Sequence, residues 1–195
     1  MSKGVLFVLS GPSGVGKGTV KAHLFEEFEK CLVYSISATT RQPRQGEVDG
    51  KDYYFIDRET FTKRIDENAF LEHAEFSGNF YGTPRDAVLK QLEAGHDMFL
   101  EIEVQGALQV MEKMPECVSI FILPPSFEVL EQRLRGRGTE SDEVVKRRLA
   151  QAERELPMAD KYMYQIVNDT VEDTYQKLRS LYLKHSLVVH EMYEV

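Results

Sequence analysis

Val5-Leu6-Phe7-Val8-Leu9-Ser10-Gly11-Pro12-Ser13-Gly14-Val15-Gly16-Lys17-Gly18-Thr19 decides the reading of this chain. The apolar run ending at Ser10 reads as a buried parallel strand. The glycine-rich segment after it reads as a turn that opens a helix. Glycines let the backbone fold tightly, so that its N–H groups converge on phosphate oxygens. A helix N-terminus adds the positive end of its dipole. Lys17 is placed to reach β- and γ-phosphates. This is the context a P-loop requires, and Gly11, Pro12, Ser13, Gly14, Val15, Gly16, Lys17, Gly18 and Thr19 are its candidate ATP-binding residues. One departure stands in it. Gly18 occupies the place directly after the lysine where Ser or Thr is usual, so Thr19 is the candidate hydroxyl on the Mg²⁺ side.

Outward from that loop, strand and helix patterns alternate. Val20, Leu24 and Phe28 have helical spacing, and Leu32 to Ser37 reads as a strand. Tyr53 to Ile56 is a short strand. Phe70 to Phe76 and Phe80-Tyr81 flank Ser77-Gly78-Asn79, a hairpin turn. A helix follows with Thr83 as its cap, Pro84 in its first turn and Gly95 as its stop. Met98 to Val104 reads as a core strand carrying Glu101 and Glu103 on one face. Ser119 to Leu123 and Gln165 to Val167 are further strands, and helices fill most of the remainder. The order implies an α/β fold: a parallel central sheet between two helical layers, P-loop NTPase-like. Residues 1–36, 85–130 and 156–195 form the expected core, 37–84 a small mixed-sheet insertion and 131–155 a helical lid, all one folding unit. Long polar excursions of this kind are usually functional.

Bulk properties bound the function. The chain has 195 residues, with 42% hydrophobic and 29% charged, ordinary for a globular domain with its own core. A net charge of -8 argues against general nucleic-acid binding. No apolar run is long enough to span a bilayer, so no membrane role is expected. The two cysteines, Cys31 and Cys117, make a poor disulfide framework and fit a reducing, cytoplasmic compartment. The five histidines include no H-E-x-x-H pair.

Further segments choose the reaction. Ser37 to Phe55, with Arg41-Gln42-Pro43-Arg44 and Gly46-Glu47-Val48-Asp49-Gly50-Lys51-Asp52-Tyr53, resembles the monophosphate-binding segment of guanylate kinases. The resemblance continues through Phe70 to Thr83, Leu100 to Gly106, Arg135-Gly136-Arg137-Gly138-Thr139 and Ile166 to Asp169. It spans nearly the whole chain in order, and the G-K-G-T loop ending looks like that of adenylate-kinase-type enzymes. The resemblance implies a nucleoside monophosphate kinase that uses ATP with Mg²⁺ to phosphorylate GMP, acting as a monomer or homodimer. It implies that Arg41, Arg44, Tyr53 and Tyr81 hold the GMP phosphate, and that Glu72 reads guanine with the Ser37 and Thr83 hydroxyls nearby. The family often has aspartate where Glu101 and Glu103 stand, and these two are expected at guanine or at Mg²⁺-bound water. Arg133, Arg137 and Arg148 belong to the expected lid over ATP. Asn168 and Asp169 resemble residues that line the adenine pocket. Lys17, Arg41, Arg137 and Arg148 are the residues expected to stabilise the transferring group.

The chemistry agrees with these residue types. Arginine forks suit a dianionic phosphate. A carboxylate accepts from guanine N1–H and the exocyclic amino group, whereas it repels the N1 lone pair of adenine. Three rival readings are weaker. A kinase for another small phosphate acceptor would not need Glu72. A GTPase switch would need N-K-x-D, which is absent. A non-catalytic scaffold module would have a degraded phosphate loop and a longer chain.

Overall fold

The computed structural model describes residues 3–76, 78–136 and 141–186. In chain order the elements are β1 (Leu6–Ser10), α1 (Lys17–Glu27), β2 (Leu32–Tyr34), β3 (Ala38–Thr39), β4 (Tyr54–Phe55), α2 (Arg58–Asp66), β5 (Phe70–Phe76) and β6 (Asn79–Pro84). They continue as α3 (Arg85–Glu93), β7 (Asp97–Glu101), α4 (Val104–Lys113), β8 (Val118–Leu123), α5 (Phe127–Gly136), α6 (Asp142–Glu155), a 3₁₀ turn (Leu156–Lys161), β9 (Tyr164–Val167) and α7 (Val171–His185).

Five strands form one parallel sheet in the order β2-β7-β1-β8-β9. Every residue of β1 is buried, and its side chains alternate between the two faces. Phe7 and Leu9 pack with Val20 and Leu24 of α1 and with Leu178 and Tyr182 of α7. Leu6 and Val8 pack on the other face with Val88 and Leu92 of α3 and Val104, Ala107 and Val110 of α4. Two faces covered by helices explain why β1 reads as a continuous apolar run. Asp97 is fully buried where β7 begins. Its carboxylate accepts from the Val5 amide at 2.7 Å, the Tyr182 hydroxyl at 2.9 Å and the Ser186 hydroxyl. It ties the start of the sheet to the end of α7.

A second sheet, ordered β4-β3-β6-β5, lies outside that core. Its strands pair in parallel at β3/β4 and antiparallel at β3/β6 and β5/β6. Ala38, Phe61 and Phe70 give it a small core of its own, with Phe61 and Phe70 stacked 4.4 Å apart.

Several expected boundaries are corrected. β2 stops at Tyr34 rather than Ser37, because β7 pairs with it only from Leu32 to Tyr34 and the chain then leaves for the second sheet. β7 stops at Glu101 rather than Val104, so Glu101 and Glu103 do not share a strand face. Thr83 does not cap α3: it lies in β6, and Pro84 is the cap residue. Gly95 does end that helix, with φ +83°. Among the described residues no helix is long and apolar enough to cross a membrane. The whole is the three-layer αβα arrangement of P-loop proteins, with a parallel central sheet.

Candidate active site

β1 is the middle strand, and Ser10 delivers the chain to the carboxyl ends of the sheet, where open α/β folds bind ligands. Gly14 and Gly16 take φ values of +88° and +97°, backbone that side chains rarely adopt. Gly16 is the N-cap of α1, and no side chain caps the helix. Its first-turn amides are therefore left for an anion. The Lys17 ammonium folds back on its own loop, donating to the carbonyls of Gly11 at 2.6 Å and Pro12 at 3.1 Å.

Asn168 holds this loop from beneath. Its side-chain amide donates to the Val15 carbonyl at 2.6 Å and accepts from the Thr174 hydroxyl at 2.9 Å. A methyl on Gly16 would stand 2.6 Å from the Asn168 amide nitrogen. Asn168 is 2% exposed, and its side chain serves as a strut for the loop. Arg133 donates to the carbonyls of Asn168 at 3.0 Å and Asp169 at 3.2 Å, beneath the same loop.

The second sheet assembles the other half. Glu72 on β5 is 7% exposed, and the Thr83 hydroxyl on β6 donates to its Oε1 at 2.6 Å. Burial pushes the Glu72 carboxyl above the usual glutamate range, the Thr83 bond pulls it back, and the charge of Glu103 pushes it up again. A cavity of about 90 Å³ brings Ser37, Thr83 and Glu101 together with Lys21 and Tyr34. Arg41 makes a two-pronged pair with Glu47 at 2.9 and 3.0 Å, and lies over the rings of Tyr53 at 5.4 Å and Phe55 at 5.9 Å. Glu47 and Tyr81 hold the Arg41 guanidinium above its usual range, so it is permanently charged. Glu47 also accepts from the Arg44 amide at 2.7 Å, while the Arg44 side chain is exposed. Tyr53 and Tyr81 meet edge to face with centroids 6.1 Å apart. Arg41, Tyr53 and Tyr81 therefore cluster, and one carboxylate fixes both the Arg41 side chain and the Arg44 backbone.

The two acids at the end of β7 and the start of α4 make separate contacts. Glu101 pairs with Lys21 at 2.5 Å, next to Gly18 of the loop. Glu103 caps α4: its two oxygens accept from the amides of Gly106 at 2.8 Å and Gln105 at 3.0 Å. Those bonds satisfy two of the open amides of the helix start and hold the Glu103 charge near Glu72. From α6, Arg148 donates to the Ser13 hydroxyl at 3.0 Å. A cavity of about 450 Å³ there is lined by Ser13, Phe76, Arg147, Arg148 and Gln151. Arg137 and Thr139 lie outside the described residues.

Nearly the whole chain is matched by a model of one known protein family. The model described as Guanylate kinase matches residues 3–185. The chain belongs to the guanylate kinase family. A guanylate kinase of Listeria monocytogenes serotype 4b is 51% identical over 192 residues, covering 96% of this chain and 94% of that protein. One of Oceanobacillus iheyensis is 54% identical over 179 residues, covering 92% of this chain and 86% of that protein. The crystal structure of guanylate kinase from Anaplasma phagocytophilum superposes with a TM-score of 0.71 at 36% identity, covering 100% of this chain and 97% of that one. The SH3-kinase fragment of tight junction protein 3 shares the fold alone, at 11% identity and a TM-score of 0.52 over 94% of this chain and 58% of that one.

Against the guanylate kinase motifs, two further acids stand out that sequence reasoning passes over. Glu47 sits in a basic, turn-rich loop, and its acidity among Arg41 and Arg44 is the only sequence signal of its pairing. Glu155 of α6 is 7% exposed and accepts from Gln151 at 2.7 Å. Burial raises its carboxyl above the usual range, Lys17 pulls it down and Glu103 pushes it up. On sequence it is one charge among many in a polar helix.

Proposed function

We propose that this chain moves the γ-phosphoryl group of ATP directly to the phosphate of GMP, with base choice made by Glu72. The activity rests on family membership: the chain is a nucleoside monophosphate kinase, a transferase of guanine nucleotide metabolism. The single observation that carries the base assignment is the buried Glu72 carboxylate, one oxygen of which already accepts from Thr83. Guanine offers N1–H and an exocyclic amino group to such a carboxylate. Adenine offers a lone pair and leaves the buried acid unpaired, the arrangement that gives the largest discrimination.

In this reading Arg41, Arg44, Tyr53 and Tyr81 hold the GMP phosphate, and Ser37 lies beside the base. The loop amides and Lys17 hold the ATP phosphates, the ammonium leaving the Gly11 and Pro12 carbonyls for phosphate oxygens. Arg148, already at Ser13, neutralises charge on the group in flight, and Arg137 is assigned the same task. No covalent enzyme intermediate is needed, because alignment and charge neutralisation supply the catalysis. The Thr19 hydroxyl and the Glu101 carboxylate near Gly18 are hard oxygens of the kind Mg²⁺ takes. These residues would hold Mg²⁺ bound with ATP, and the ion would supply charge neutralisation at the phosphates. Residues 37–84 and 131–155 are the segments that close over GMP and ATP respectively, excluding water. Cys31 and Cys117, both buried and neither in a disulfide, support a reducing, cytoplasmic setting.

Glu72→Gln tests the assignment. Glutamine keeps the oxygen that accepts from Thr83 but turns the second one into a donor. The account expects kcat/KM for GMP to fall roughly 100-fold or more, with the KM for ATP little changed. An unchanged kcat/KM for GMP would remove Glu72 from base recognition.

A further inference from the structure

Gly106 occupies a position where conformation does not ask for glycine. It lies in the first turn of α4, it is buried, and it is not among the glycines with positive φ. Alanine is the better helix former at such a place. Its surroundings explain the choice. A methyl built on Gly106 would have Glu72 Oε2 at 2.9 Å, Cδ at 3.4 Å and Cγ at 3.5 Å, and these are its three nearest neighbours. Glu72 thus fills the space that a side chain at 106 would take.

The separation between the two is fixed on both sides. Residues 106, 109 and 113 lie on one face of α4. Gln109 exchanges hydrogen bonds with the His73 backbone, accepting from its amide and donating to its carbonyl, each at 3.2 Å. Lys113 donates to the Phe70 carbonyl at 2.9 Å. α4 is therefore stitched to β5 just before and just after Glu72, and Glu103 anchors the helix start through the Gly106 amide itself. Neither backbone can give way, so a methyl at 106 moves the one mobile object in its path, the Glu72 carboxylate.

We propose that Gly106 is a positioning residue for guanine recognition: its bare Cα lets Glu72 Oε2 take the place from which the carboxylate reads the base, while Thr83 fixes Oε1. The proposal rests on the assignment of Glu72 to guanine. Gly106 touches no substrate and acts through Glu72 alone.

The test compares Gly106→Ala, Glu72→Asp and the double variant with the parent protein. Gly106→Ala is expected to raise the KM for GMP about tenfold or more, leaving the KM for ATP and kcat at saturating GMP within about twofold. It should narrow the preference for GMP over IMP, which lacks the exocyclic amino group. Its melting temperature should be unchanged or higher, because only the far end of a flexible side chain is displaced. Aspartate is one methylene shorter and clears the added methyl, so adding Gly106→Ala to Glu72→Asp should cost far less than adding it to the parent. Three results would overturn the proposal. One is a Gly106→Ala protein that melts well below the parent, the mark of a glycine kept for packing. Another is a GMP KM unchanged in Gly106→Ala while Glu72→Asp raises it, which rejects the positioning role and leaves the role of Glu72 standing. The last is an unchanged GMP KM and GMP/IMP preference in Glu72→Asp, which rejects the base assignment and this proposal with it.

Discussion

Glu72 carries a conflict that its neighbours only partly relieve. Burial and the charge of Glu103 favour its protonated form, whereas the guanine recognition proposed for it needs the carboxylate. The sign follows. With the folded carboxyl raised, the free protein holds a proton over a window where an ordinary glutamate has lost it, and GMP must expel that proton to bind. The KM for GMP therefore climbs as pH falls through the raised value. The stability of the free protein moves oppositely: this group's contribution is fully present below the unfolded glutamate pKa and is lost as pH rises through the folded one. Initial-rate measurements across the acid range should show a steeper rise for GMP than for ATP, and Glu72→Gln should remove the part that titration of the GMP phosphate itself does not account for. Parallel rises for both substrates would place the titrating group elsewhere. Glu72 and Thr83 are visible in the sequence because they sit in a long motif. Glu47 and Gly106 also lie in such motifs, but their parts are not visible there, since the one is hidden in a polar stretch and the other acts on a residue distant in the chain; Glu155 lies in no motif at all.

The elements were legible where local chemistry and tertiary packing agree. The strand–loop–helix from Leu6 to Glu27 is the clearest instance, because its apolar run, glycines and lysine all point one way. They were misread where two local options compete for one side chain. Thr83 looks like a helix cap, but β6 pairs through it and its hydroxyl goes to Glu72. Glu103 looks like the end of a strand, yet it caps α4. Losing that cap should cost about 1 kcal/mol. Urea denaturation of Glu103→Ala should report that loss. The variant's GMP KM should also begin its acid-side rise at lower pH, because a like charge no longer faces Glu72. Unchanged stability would mean that the cap contributes nothing and that Glu103 is free for the site.

For the whole molecule, alternation of strand and helix sufficed to announce the layered parallel sheet. The pairing of the second sheet was not legible, because β3 and β4 are two residues each and two-residue strands carry no period. Nor was the buried Asp97 tie between sheet and α7, since its partners Tyr182 and Ser186 lie far along the chain. What the assembled molecule achieves, on the proposed function, is juxtaposition: the loop that takes ATP phosphates and the pocket that takes a guanine monophosphate share one fold. ADP release should therefore be followed with ATP and Mg²⁺, offering GMP, AMP, CMP and UMP separately, in the parent and in Lys17→Ala. The account predicts rapid turnover with GMP alone and a loss of about 100-fold or more in the variant, because the lysine's charge is removed from the transferring phosphates. Equal turnover with AMP, or a Lys17→Ala protein as active as the parent, would contradict it.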